Sequence, residues 1–469
     1  MEFTHAERLS ALDASFLALE DANCHMHIGA AAVFDATPLS TPEGGIDIDR
    51  IRTLMERGMY RIPRYRQKLA WVPLLGHPVW VDDDRFNLVY HVRHTHLPLP
   101  GDDRQLKRLV GRLMSQQLDR GKPLWEMWVV EGLEGNRFAV VTKVHHCMID
   151  GIGSVELTGS VMRPTPDHDP RLDEPAPRWI PRPAPQPTDL LVREVAHRAR
   201  SPLNAVSGLR RLLGDPQQAL ETATGTARGI AEAVAGGLSP APPSPLNVDI
   251  GPHRRFDWTV MDLDAVRTLK GKVGGTVNDV VLAILSGALR RFLYRRGTPG
   301  EGLDFRVMIP VNVRTTGEQR DLGNRVAMLV VQLPLDEADP RARMARVVEE
   351  TQRMKHSQQA LGVRAIEELS NQLFTALFTE FARLASYTQP FNLVVTNVPG
   401  PPFPVYIEGA KMLACYPLVP LFRNQGLGVA LFSYDGRLYW GFNADWDALP
   451  DLHDLVTAVE AELEAMTGS

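Results

Sequence analysis

Phe138-Ala139-Val140-Val141-Thr142-Lys143-Val144-His145-His146-Cys147-Met148-Ile149-Asp150-Gly151 is the stretch on which the reading of this chain turns. Its first eight residues read as a β-strand, with Phe138, Val140, Thr142 and Val144 on one face and Ala139, Val141, Lys143 and His145 on the other. If the extended geometry runs on, His146 joins the Phe138 face and His145 points away, so the two imidazoles take different tasks. Gly151 and Gly153 permit a sharp turn. Ser154 to Val161 can then form a helix, with Asp150 near its N-terminus, where the dipole favours a carboxylate. A neutral imidazole held by a nearby carboxylate and a tight turn can activate a hydroxyl for acyl transfer. Three other readings stand beside that one. The histidines end a strand for packing reasons and Asp150 caps a helix; or His27, His145, His146 and Asp150 hold a metal, without HExxH or paired CxxC support; or Cys147 is a nucleophile, although in extended chain it and His146 face opposite ways.

Outward from this stretch, Glu126 to Gly132 reads as a strand joined to it by the turn Leu133 to Arg137. His27 to Phe34 reads as another strand, and Asp103 to Gln117 as an amphipathic helix. Residues 163 to 187 are dense in proline and sustain neither helix nor central strand. A helix-like stretch follows from Asp189 to about Ala235, and a second proline cluster, Ser239 to Pro245, closes it. Beyond Leu246 the texture is mixed again. Asn278 to Arg296 is helical in period, and strands are predicted at Arg306 to Val313, Ala327 to Leu335, Phe391 to Asn397, Leu427 to Tyr434 and Arg437 to Asn443. The expected class is α/β: lobes 1–162 and 246–469, joined by a proline-rich and helical crossover, 163–245.

The chain has 469 residues, 44% hydrophobic and 23% charged, ample for a large core. A net charge of −5 gives no whole-chain case for nucleic acid. Cys24, Cys147 and Cys415 are too few and too scattered for a disulfide framework. The N-terminus lacks the pattern of a secretory signal. No run reaches the roughly 18 apolar residues that span a bilayer; Val277 to Leu293 is broken by Asn278, Asp279 and two arginines. The expected compartment is the cytoplasm, with peripheral contact to a membrane surface left open. Arg61, Arg64, Arg66 and Lys68, interleaved with Tyr60 and Tyr65, suit either a solvated face or a site for phosphates or anionic lipid headgroups. The arginines between Asp189 and Leu213 suit a helix packed on a lobe or lying on lipid. Without a Gly-x-Ser-x-Gly elbow, a P-loop or a dinucleotide fingerprint, serine hydrolases, NTPases and nicotinamide enzymes lose their main support.

Several segments in order along the chain resemble the bacterial wax ester synthase/diacylglycerol acyltransferase family: Leu118-Asp119-Arg120-Gly121-Lys122-Pro123-Leu124-Trp125-Glu126, Val130-Glu131-Gly132-Leu133, His145 to Gly151, Pro245-Leu246-Asn247, Ile250 to Phe256, Val277 to Ala283, Pro310 to Arg314, and Asn397-Val398-Pro399-Gly400-Pro401. His145 and Asp150 also fit the His-x4-Asp spacing of membrane glycerolipid acyltransferases, but their Pro-Glu-Gly-Thr-type segment and hydrophobic anchors do not follow. The resemblance implies two lobes like chloramphenicol acetyltransferase, related to peptide-synthetase condensation domains, with a channel between them. It implies His146 as general base with His145 supporting, and Asp150 with Gly151 shaping the motif loop. Asp150 would pair with an arginine, for which Arg314 is the candidate. Asn278 and Asp279 are motif positions, either on the substrate side or capping a helix. The implied chemistry uses acyl-CoA as co-substrate, with no bound cofactor and no metal. The favoured acceptor is diacylglycerol, and a fatty alcohol is the alternative; a hydrolase and a non-catalytic lipid-droplet protein are the rivals. The chain departs from the family pattern at Ala11, commonly proline, at Val419, usually glycine, and at Cys147, commonly alanine.

Overall fold

The computed structural model describes residues 5–148, 161–168, 178–197, 240–312, 326–360 and 390–468. Strands of the first part are β1 (Glu7–Arg8), β2 (His27–Asp35), β3 (Gln67–Trp71), β4 (Pro78–Asp82), β5 (Val92–His96), β6 (Trp125–Leu133) and β7 (Arg137–His145). Those of the later part are β8 (Arg254–Asp262), β9 (Phe305–Asn312), β10 (Val326–Leu333), β11 (Leu393–Pro399), β12 (Tyr406–Ile407), β13 (Ala410–Leu418), β14 (Leu427–Tyr434) and β15 (Arg437–Asp445). They build two six-stranded sheets, β12-β13-β2-β7-β6-β5 and β10-β9-β11-β14-β15-β8, and a small sheet β1-β4-β3. The protein is thus a mixed α/β fold of two sheet-rich lobes.

β7 lies inside the first sheet, antiparallel to both β2 and β6. It is buried on both faces, which is why its sequence is an almost unbroken apolar run. Among its polar residues, Lys143 is fully buried. Its Nζ donates to the Leu113 and Gln116 carbonyls at 3.1 and 3.0 Å and lies 3.3 Å from Glu126 Oε2. Those carbonyls are at the C-terminal end of the helix Asp103–Met114, where such groups lack partners within the helix. Burial pushes the lysine pKa down.

That helix starts with a capping box between Asp102 and Gln105 and reaches the other lobe. A Cβ on Gly111 would sit 2.7 Å from the Arg254 carbonyl oxygen, and Ser115 Oγ accepts the Arg254 N–H at 2.8 Å. The lobes also share strands. β13 pairs with β2, Cys415 opposite Ala32, although it comes from the far end of the chain. Where it passes β15, a Cβ on Gly441 would meet the Pro417 carbonyl oxygen at 1.8 Å, so only glycine fits. Residues 406–418 therefore extend the first sheet, and the division at 246 separates sequence rather than sheets. The crossover begins at that same edge, where Arg163 and Tyr406 exchange two backbone hydrogen bonds.

In the second lobe the helix Val277–Arg295 is buried on nearly every side. The helix Leu452–Thr467 supplies Glu462, which is buried and holds Arg343 and Arg291. Among the described residues no single helix is long and apolar enough to cross a membrane. β2, β6, β7, β9, β10, β11, β14 and β15 fall where alternation predicts strands, with ends moved by a residue or two. β1, β3, β4, β5, β8, β12 and β13 were not predicted. Of the helix expected from Asp189, residues 187–197 are described. Leu190 packs with Val72, Val79 and Val81, and Glu194 accepts two hydrogen bonds from Arg8, while Val192 and Val195 are exposed. This stretch of helix packs on the first lobe.

Candidate active site

β7 ends at His145, opposite His27 of β2. The His146 N–H still bonds the Met26 carbonyl at 2.8 Å, but the chain then winds into the 3-10 turn His146–Met148. Extended geometry does not run on through His146, so the face argument stops at His145. The His145 ring is buried and faces inward. Its Nδ1 accepts the Cys147 N–H at 3.1 Å, which puts its proton on Nε2, 3.4 Å from Glu20 Oε2. Arg120 donates to the same oxygen from Nε at 3.0 Å and Nη2 at 2.6 Å. His27 Nε2 lies 3.5 Å from the other oxygen.

The Glu20 side chain is 1% exposed, and burial alone would disfavour its charge. The adjacent His145 and His27 rings and the hydrogen bonds from Arg120 outweigh that and hold its carboxyl well below the usual range. Burial pushes His27 down to about 3 and His25, bonded to the Ala22 carbonyl, down as well. Behind the motif, then, sits a carboxylate–guanidinium pair flanked by the His27 and His145 rings.

His146 is held differently. The helix Ala11–Leu19 is capped by Ser10, whose Oγ accepts the Asp13 N–H at 3.1 Å and donates to Asp13 Oδ2 at 2.7 Å. It carries Phe16 onto the imidazole, with ring centroids 3.9 Å apart and planes 20° from parallel. His146 Nδ1 is buried without a hydrogen-bond partner among the described residues. Burial, reinforced by His145, pushes the ring down to about 4, so it is neutral at pH 7. A neutral imidazole is the state a general base needs. The Cys147 thiol is buried, and desolvation, with Asp13 and Glu20 adding to it, raises its pKa well above the ordinary value. A protonated buried thiol is a poor nucleophile.

Asp150, Gly151 and Arg314, and the helix expected from Ser154 to Val161, lie outside the described residues. Asn278 and Asp279 open the helix Val277–Arg295 and do different things. Asp279 closes a capping box: its Oδ2 accepts from the Thr276 N–H at 2.7 Å and Oγ1 at 2.8 Å, and its Oδ1 accepts from Thr351 Oγ1 at 2.8 Å. Both oxygens serve the fold. Asn278 Oδ1 accepts from Asn397 Nδ2 at 2.7 Å, which brings together two of the motifs read from the sequence. Val419 packs with Val394 and Ala430, and it is not among the positive-φ residues, so it strains no turn. In the basic cluster Arg64 pairs with Glu7, Arg66 stacks on Tyr60 and Lys68 pairs with Asp83 and Asp84. Among the described residues no three His, Cys, Asp or Glu side chains are grouped to hold a metal ion. Phe16, Glu20 and Arg120 were not singled out from sequence. Ser10-x-x-Asp13 before an apolar run was the available signal for the helix that carries Phe16.

The family profile of the wax ester synthase/diacylglycerol acyltransferase catalytic domain matches residues 9–281, and that of its C-terminal domain matches residues 322–467. This chain belongs to that family. It is 32% identical to a putative diacylglycerol O-acyltransferase of Mycobacterium tuberculosis, across 95% of this chain and 87% of the relative. It is 30% identical to the O-acyltransferase WSD of Acinetobacter baylyi, across 98% and 97%. The wax ester synthase/diacylglycerol acyltransferase of Marinobacter aquaeolei superposes with a TM-score of 0.68 at 26% identity, covering 99% of this chain and all of that one. The first condensation domain of the calcium-dependent antibiotic synthetase, 16% identical with a TM-score of 0.58 over 100% and 97%, shares the fold. The protein is an acyltransferase of lipid biosynthesis.

Proposed function

We propose that this acyltransferase makes triacylglycerol from diacylglycerol and long-chain acyl-CoA, by direct transfer with His146 as general base. The observation that carries the reading is the neutral His146 ring, with a buried and unpartnered Nδ1 among the described residues, in a chain of this family. The imidazole takes the proton of the acceptor hydroxyl as its oxygen attacks the thioester carbonyl. The C–S bond breaks, and the departing CoA sulfur recovers the proton. The raised pKa of Cys147 supports transfer without an acyl-enzyme, with both substrates bound together. No bound cofactor takes part. Diacylglycerol as acceptor is supported by the names of the mycobacterial relatives. A fatty alcohol, giving wax ester, is the second reading, favoured by the Marinobacter enzyme's name and its match over the whole chain. Both acceptors reside in lipid, so the reading includes peripheral contact with a membrane or lipid droplet.

The test is radiolabelled palmitoyl-CoA offered with diacylglycerol, hexadecanol or no acceptor. Labelled triacylglycerol as the dominant product is expected. Free fatty acid alone would make the protein a hydrolase, and absence of any product would make it a binding protein.

A further inference from the structure

We propose that Phe16 is a positioning residue for the transfer, holding the plane of the His146 ring and stabilising the imidazolium formed when the acceptor's proton arrives. The proposal rests on His146 being the base. A base that acts on a bound hydroxyl must keep one orientation, usually by a hydrogen bond from its second nitrogen. Among the described residues no such bond reaches His146 Nδ1. What the ring has instead is a near-parallel aromatic face at a centroid distance of 3.9 Å. Stacking at that distance leaves the imidazole free to slide or turn in its plane but not to tilt.

The support is rigid at both ends. Ser10 and Asp13 close the first turn of the helix Ala11–Leu19. Glu20, its C-cap, is fixed by Arg120 and by the neighbouring histidine. Phe16 and Glu20 are four residues apart and so lie on one face of the helix. One short helix therefore presents an aromatic face to His146 and a carboxylate to His145, and the two histidines are held by different physics.

The same face acts on charge. His146 is uncharged before reaction and cationic while it holds the acceptor's proton, in a half-buried place where a cation is disfavoured. A π face beneath the ring attracts the imidazolium and leaves the neutral ring almost unaffected. That interaction grows along the reaction coordinate, so it lowers the barrier rather than the substrate KM.

The experiment replaces Phe16 by phenylalanines carrying one, three and five ring fluorines, which keep the shape of the ring while draining its π face. Phe16→Leu and Phe16→Trp are made alongside. With palmitoyl-CoA and dioleoylglycerol, kcat is expected to fall stepwise with fluorination, by about tenfold at five fluorines. KM and Tm should stay near those of the unmodified protein. Phe16→Trp should keep most of the activity and Phe16→Leu should lose about as much as the pentafluoro ring. A kcat independent of fluorination overturns the proposal, as does equal loss in the leucine and tryptophan variants. His146→Ala separates this from the reading it rests on: wild-type turnover in that variant would remove the base itself, whatever Phe16 does.

Discussion

Glu20 Oε2 and His145 Nε2 lie 3.4 Å apart with both side chains 1% exposed, so the first histidine of the pair is bound into the fold by a buried carboxylate. Its other nitrogen accepts the Cys147 N–H and thereby shapes the turn on which His146 sits. His145 thus packs inward against Glu20, and His146 lies one residue on, in the turn.

Removing that carboxylate leaves polar groups buried without partners. Glu20→Ala is expected to cost about 1–3 kcal/mol of stability, and Glu20→Gln less. Thermal unfolding of both variants checks this. A melting temperature equal to that of the parent in Glu20→Ala would contradict the network.

The buried histidines fix a pH dependence. His27 and His146 are held at about 3 and about 4, against 6.5 in an open chain. Below pH 6.5 the unfolded chain binds protons that the folded chain refuses, so stability should fall from there toward pH 4. Glu20 acts lower: its depressed carboxyl stabilises the fold above about pH 4.5, and that contribution is lost as pH drops further. Turnover should keep its plateau down to about pH 5, because the base stays neutral. Melting temperatures and kcat measured from pH 8 to pH 4.5 test both points. An acid limb in kcat centred at 6.5 would show a solvated histidine instead.

Cys147→Ala should retain turnover within about threefold, since a buried protonated thiol serves only packing. Initial rates with both substrates varied should give intersecting lines. Parallel lines, or an acyl adduct seen by intact mass after incubation with acyl-CoA alone, would establish a covalent intermediate.

For Asp279, whose oxygens are taken up by Thr276 and Thr351, replacement by alanine should cost about 1–2 kcal/mol through loss of the cap. Activity of the folded variant should change little. Lost turnover at an unchanged melting temperature would put this carboxylate on the substrate side.

The parts of the fold legible in the sequence are those whose burial follows from local pattern. β7 and β14 are apolar enough to read as strands wherever they sit. β13 is not, because Lys411, Pro417 and scattered small residues hide the pattern, and its place beside β2 depends on a pairing across almost 400 residues. β8 hides its burial behind charge: Arg254 and Asp257 are buried, yet read as solvent-facing. At the site, the double histidine was visible, whereas the partners that distinguish its two members were not. Phe16 and Glu20 lie about 130 residues upstream, and no periodicity joins a helix cap to the end of a distant strand. The strand rule also carried one residue too far, because the backbone turns at His146.

The central claim is tested most directly by comparing His146→Ala with His145→Ala, using radiolabelled palmitoyl-CoA and diacylglycerol and checking each variant's melting temperature. The account predicts that His146→Ala forms no detectable triacylglycerol while melting near the parent. His145→Ala should melt lower but still turn over. Triacylglycerol made at the parental rate by His146→Ala, with His145→Ala folded and inactive, would contradict it.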